Sequence, residues 1–278
     1  MREGVSVPSA VREVLASQRF VPVALLLTVA VFASDITTTT WASWVGAILD
    51  ILVLGYQLSI ARNVLDGGDA LPPVIGQLPT LARRGLSVWG WAFAPLAASV
   101  ALFIPLTLLL RGLGGIGSRG MFGILGAILL PLVFAFVVVV VGGRYIYFDL
   151  FGEGFHYIDA SRHFGRFWRA GLVAVGFDVL CVWLIAAVRL GANSLLGGAG
   201  LSGAFGMIVA LFAGHVSLFG MLTILGVLLV SVIAAARTLV SGHLIGQYSR
   251  LVYGPGREVD ERSVEQAYRA ERRQLESS

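Results

Sequence analysis

The sequence predicts an all-α integral membrane protein. We read it as a polytopic transmembrane helical bundle of about six spans, N-in and C-in, with cytoplasmic interfacial amphipathic helices. Three observations carry this. Of its 278 residues, 57% are hydrophobic and only 13% charged, against roughly 25% charged in a soluble domain. The apolar residues gather in blocks that approach the ~20 residues a helix needs to cross a bilayer. All 20 basic residues are arginine, and they cluster between the blocks. A nucleic-acid surface would instead line one face of a folded domain with them, so nucleic acid is not an expected partner.

The predicted spans are 20–34, 41–60, 86–110, 121–141, 172–188 and 218–236. This divides the chain into a cytoplasmic N-terminal segment (1–19), a transmembrane domain (20–253) and a charged cytoplasmic tail (254–278). The first block is short and follows Arg2, Arg12 and Arg19, so a cleaved signal peptide is the competing reading there. Orientation comes from arginine, because cytoplasmic loops keep the basic excess. Near the membrane, thirteen arginines fall on the side of the termini, Arg237 and Arg250 among them. Arg111, Arg119 and Arg189 fall opposite. The segment 191–217 has two readings. Its apolar stretch 204–213 suits a re-entrant piece, or it begins a long tilted sixth helix. Gly206, Ala210 and Gly214 would let another helix approach closely.

Pro95, Pro105 and Pro131 fall inside spans and can kink them, in a gate or in a static bundle alike. Three descending spans run into glycine-ended cytoplasmic stretches, at 55–68, 142–154 and 242–256, which suggests a weak three-hairpin repeat. Cys181 is the only cysteine, which excludes a disulfide within the chain and any cysteine-based metal site.

The clearest amphipathic element is 155–169. At 3.6 residues per turn, Tyr157, Ala160, Phe164, Phe167 and Trp168 share an arc of roughly 100°. Asp159, Arg162, Arg166 and Arg169 lie opposite. A basic face backed by aromatics rests in the headgroup layer. Arg162, Arg166, Arg169 and Trp168 are therefore candidate lipid-headgroup contacts for an anionic lipid, against the plainer role of a structural anchor. His156, Asp159 and His163 share one flank with Glu153 upstream. Seven residues of helix separate the two imidazoles by about 10 Å, too far for one ion, so no metal site and no cofactor are expected.

Two carboxylates, Asp50 and Asp178, lie within predicted spans. An acid at such depth is costly and faces the bundle interior. Ser43, Gly46, Asp50 and Gln57 form one small, polar stripe, and Gly171, Ala174 and Asp178 repeat its offsets. Asp50, Asp178, Gln57 and Ser43 are thus the candidate intramembrane polar site, for proton or cation handling or for packing alone. No arginine is expected at matching depth. In the tail, Glu258 with Arg262 and Glu265 with Arg269 favour a short exposed helix. Five arginines against six acids make it nearly charge-balanced.

The run Leu54-Gly55-Tyr56, then Arg62-Asn63-Val64-Leu65-Asp66-Gly67-Gly68, Leu71-Pro72 and Gly85-Leu86, resembles the opening of the prokaryotic domain-of-unknown-function 4013 family. Gly242-His243-Leu244-Ile245-Gly246-Gln247-Tyr248 is similar to its closing segment. The resemblance covers roughly 20–253 and leaves the glycine-rich 190–203 unplaced. It implies a multi-pass prokaryotic membrane protein with no assigned activity and no catalytic residues.

Enzyme chemistry is the least supported class: there is no Walker loop, His-Glu-x-x-His or Gly-x-Ser-x-Gly. The expected function is a non-catalytic membrane scaffold or partner-binding component of the cell membrane. It would work with the lipid bilayer and with a membrane-protein partner or a second copy of itself. The alternative is a transporter or channel for a small solute, ion or lipid, using Asp50 and Asp178.

Overall fold

A computed structural model of the chain describes residues 5–37, 43–68, 71–74, 76–112, 129–195 and 218–254. Among these residues every regular element is helical. They are α1 (Val7–Ala16), α2 (Phe20–Thr37), α3 (Ser43–Leu65), α4 (Leu78–Gly112), α5 (Leu129–Phe148), α6 (Tyr157–Arg166), α7 (Trp168–Leu195) and α8 (Leu218–Tyr253). The re-entrant question over 191–217, the glycine stripe within it, the start of the fourth predicted span and the tail pairs lie outside the described residues, apart from 191–195 at the end of α7.

Four described helices are long and apolar enough to cross a membrane: Trp44–Leu65, Leu129–Phe148, Trp168–Gly191 and Met221–Tyr253. Val7–Ala16 with Phe20–Ser34, bent by 105°, makes a fifth when the pair is one broken span. Composition explains where they face. Val21, Leu25 and Val29 recur at four-residue spacing along α2 and stay exposed, as an apolar stripe meant for lipid does. Pro95 and Pro105 sit inside the continuous helix α4.

The helix α8 is the axis of the fold and packs against α2, α3, α5, α7 and α1. Its two halves differ in surroundings. Leu222, Leu225, Leu228, Leu229 and Val232 are exposed, whereas every residue from Thr238 to Gly246 is buried. A helix buried on all sides is a core helix. The helix that carries the predicted last span, 218–236, runs on as a core helix to Tyr253. At about 1.5 Å per residue the 33 residues Met221–Tyr253 extend for roughly 50 Å, well beyond a ~30 Å hydrocarbon layer. The far half is sheathed in protein instead of lipid.

Glycine makes that sheath tight. Gly55 on α3 lies against the Leu81 carbonyl of α4, and Gly85 on α4 against the Ile51 carbonyl of α3. Gly242 and Gly246 on α8 would each place a Cβ 2.6 Å from an α3 carbonyl oxygen, that of Gln57 and that of Ala61. No side chain fits there, so the backbones meet directly. Four of the glycines quoted above as resembling one family thus share a task at the two faces of α3.

Two further differences from expectation stand out. The amphipathic stretch 155–169 is not one helix. A 3₁₀ turn at Phe151–Phe155 precedes α6, and Phe167 breaks the run before α7. The Phe167 N–H is shared between the carbonyls of His163 and Phe164, the forked bond common where a helix tightens at its end. Also unexpected is α1, which Ser6 caps by accepting from the Ser9 N–H, with a proline in its first turn. It buries Ala10 and Val14. Within α5, the buried valine run Val137–Val141 widens to a π segment.

Candidate functional site

The Gly242 and Gly246 contacts fix the register of α8 on α3, and that register delivers a polar chain into the bundle. The Gln57 amide on α3 donates to Ser241 Oγ on α8 at 2.9 Å. The Ser241 hydroxyl donates to Asp178 Oδ1 on α7 at 2.9 Å. Arg237, one turn before Ser241, closes on the same carboxylate with Nε–Oδ1 at 2.9 Å and Nη2–Oδ2 at 2.7 Å. Asp178 and Ser241 are 0% exposed and Gln57 3%, while 21% of the Arg237 side chain is exposed.

The chemistry of this arrangement is specific. A planar guanidinium matches both carboxylate oxygens, so the pair is bidentate and stronger than a neutral hydrogen bond. Burying either charge alone would be very costly, and pairing with added hydrogen bonds offsets that. Four side chains from three helices therefore satisfy each other. Arg237 corrects the expectation that no arginine lies at the depth of Asp178. A span counted from Met221 reaches Arg237 after about 24 Å, still within the hydrocarbon thickness.

Of the predicted polar site, the structure brings Asp178 and Gln57 together through Ser241. Asp50 belongs to a different contact, where the Ser34 hydroxyl of α2 donates to Asp50 Oδ1 at 2.8 Å. It is two helical turns from Gln57 along α3 and exposed at its surface. Ser43 begins α3, and its side chain lies outside the described residues.

Beyond the ion pair, arginines of the predicted cytoplasmic loops tie down backbone. Arg62 pairs with Asp66 at 2.8 Å and donates to the Ile146 and Tyr147 carbonyls at the end of α5. There, orphan carbonyls and the helix dipole favour a cation. Arg19 donates to the Leu71 carbonyl and Arg84 to Ser59 Oγ. Arg144 pairs with the buried Glu153 at 2.7 Å, and His156 Nδ1 meets the same carboxylate at 3.1 Å. His163 Nδ1 instead lies 2.7 Å from the Asp159 carbonyl. The two imidazoles therefore have separate partners. Among the described residues no group of three or more His, Cys, Asp or Glu could hold a metal ion.

The 3₁₀ turn is moored by Trp91. Its indole N–H donates to the Phe151 carbonyl at 3.2 Å, its ring stacks 4.6 Å from Tyr145, and Gly154 lies directly against it. The Tyr157 hydroxyl donates to the Trp91 carbonyl, and burial pushes that phenol above its ordinary pKa. Of the candidate headgroup contacts, Arg162 is exposed and 3.6 Å from Asp159. Arg166 and Arg169 lie over the rings of Phe167 and Trp168, at 5.7 and 5.5 Å.

Sequence reasoning missed Arg237, Ser241 and α1. The N-terminal helix is held to α8 by Ser6 N–H donating to Gln247 Oε1 at 3.0 Å and by Glu13 beside His243 at 3.0 Å. A signal was present for the length of the last helix and for α1. Apolar and small residues continue past Arg237 without a helix breaker, and Ser6-Val7-Pro8 is a helix start. The chain matches no protein-family model, no curated protein and no solved structure.

Proposed function

We propose that this chain is a six-span membrane protein with cytoplasmic termini that serves the cell membrane as a non-catalytic scaffold or partner-binding component. Six spans follow when the four long apolar helices are joined by the bent α1–α2 pair and by α4, whose 35 residues reach about 52 Å. The arginine asymmetry sets the orientation, and losing Arg237 to the interior leaves it intact. The resemblance to the family quoted above agrees with this reading.

The observation that carries the scaffold reading is the closed state of the deepest acid. Asp178 spends both oxygens on Arg237 and Ser241 at 0% exposure. A carboxylate that handles ions must exchange partners with water or substrate, and this one clamps three helices. Asp50 is held on the α2–α3 contact by Ser34, whereas Asp178 is held on the α7–α8 contact.

Reconstitution tests this. Liposomes carrying the full chain and a pH-sensitive dye should leak protons and monovalent cations no faster than protein-free liposomes. In native membranes, cross-linking should return one membrane-protein partner, or a second copy, at fixed stoichiometry. Flux that Asp50→Asn or Asp178→Asn abolishes would favour the transporter instead. For topology, Arg2→Cys and Ser278→Cys in a Cys181→Ser background should react with an impermeant maleimide only in inverted vesicles.

A further inference from the structure

We propose that the cleft at the bend between α6 and α7 is a binding site for the phosphate headgroup of an anionic phospholipid. This goes beyond the scaffold reading and does not depend on it. The cleft is open to the surface, has a volume of about 500 Å³ and is lined by Val5, Arg166, Trp168, Arg169, Val173 and Leu251, among others. Its volume is that of a small-molecule site.

Two cations, Arg166 and Arg169, line it. Among the described residues neither Arg166 nor Arg169 has a carboxylate partner, whereas Arg162, on the same helix as Arg166, is beside Asp159. Each cleft guanidinium lies over an aromatic ring, Arg166 over Phe167 at 5.7 Å and Arg169 over Trp168 at 5.5 Å. A cation–π contact of this kind draws on the charge of the group and does not use up its N–H donors, which a phosphate can take. The break at Phe167 puts the two on either side of the bend, so both can address one anion. The rest of the lining supplies the other half of a lipid, because Val5, Val173 and Leu251 offer an apolar wall to an acyl chain.

Depth agrees with a lipid. Trp168 opens an apolar helix long enough to span, and tryptophan at a span end marks the headgroup level. On the neighbouring turns Phe155 is 45% and Ile158 69% exposed, apolar surface that a helix turns to acyl chains when it lies in the interface. A zwitterionic headgroup brings its own ammonium toward two arginines, so anionic lipid is favoured.

The test is lipid retention. Full-length protein is reconstituted in nanodiscs of phosphatidylglycerol and phosphatidylcholine at equal parts, extracted in mild detergent, and its bound lipid read by native mass spectrometry. The unmodified protein should retain phosphatidylglycerol preferentially. Arg166→Gln/Arg169→Gln should lose retention by about fivefold for each arginine removed, and Arg162→Gln should change it less than twofold. Should the double variant not fold, Arg166→Lys/Arg169→Lys, which keeps charge but not bidentate geometry, carries the same comparison with a smaller loss. Equal retention in the cleft variants overturns the proposal. So does an equal loss in Arg162→Gln, which would mean general surface attraction. Displacement of the lipid by millimolar glycerol phosphate would make it a soluble-anion site. Retention that rises in Glu258→Gln/Asp260→Asn/Glu261→Gln would make the chain's own tail the occupant.

Discussion

Replacing Arg237 with glutamine isolates the energetics of the buried pair. The substitution removes the cation and leaves Asp178 at 0% exposure with the Ser241 hydroxyl as its remaining hydrogen-bond donor. Breaking a buried ion pair from one side costs about 3–5 kcal/mol, because the surviving charge is stranded. The 21% exposure of the Arg237 side chain gives the site some access to water, so the lower end of that range, about 3 kcal/mol, is expected. Removing both charges tells more. Asp178→Leu/Arg237→Met strands no charge, only the hydroxyl proton of Ser241, and should cost less than Arg237→Gln alone, since apolar replacement of a buried pair is often neutral or better. Ser241→Ala removes two interhelical hydrogen bonds and should cost only about 1.2 kcal/mol, at the ~0.6 kcal/mol average for such bonds in a membrane, where the dissociated helices find other partners. The assay is reversible unfolding of the full chain in mixed micelles, followed by tryptophan fluorescence. An Arg237→Gln variant within 0.5 kcal/mol of the parent, or a double variant less stable than the single one, would refute the clamp.

Other predictions concern packing and anchoring. Gly246→Val puts a branched side chain where even a Cβ comes within 2.6 Å of the Ala61 carbonyl, and overpacking of at least 1–3 kcal/mol should appear as aggregation on size-exclusion chromatography. Gly85→Ala should act the same way at the Ile51 carbonyl, read by the same profile. Trp91→Phe keeps the ring stack but loses the indole bond to the Phe151 carbonyl, so a loss of about 1 kcal/mol should accompany faster proteolysis of the 3₁₀ turn. Glu13→Gln weakens a pair whose acid is 54% exposed; less than about 1 kcal/mol of stability should be lost, with freer exchange of α1 amides in hydrogen-exchange mass spectrometry.

The sequence by itself determined the helical class and the membrane character, because both rest on local quantities. An apolar block declares its length and composition without reference to any other block. The same holds for the amphipathic pattern of 155–169 and for the cost of an acid at Asp178. Only the tertiary structure decided what those features meet. Asp50 and Asp178 carry the same sequence offsets, yet one meets Ser34 on α2 and the other Arg237, 59 residues away. Arg237 was hidden for a physical reason. Read along the chain, a charge marks the end of an apolar span, and nothing local tells an arginine that faces water from one that faces a buried carboxylate. The cleft arginines were legible as a basic face, but that Arg166 and Arg169 line a cavity while Arg162 lies beside Asp159 depends on the break at Phe167. That break comes two residues after Gly165, whose weak helix propensity permits an end there without fixing it.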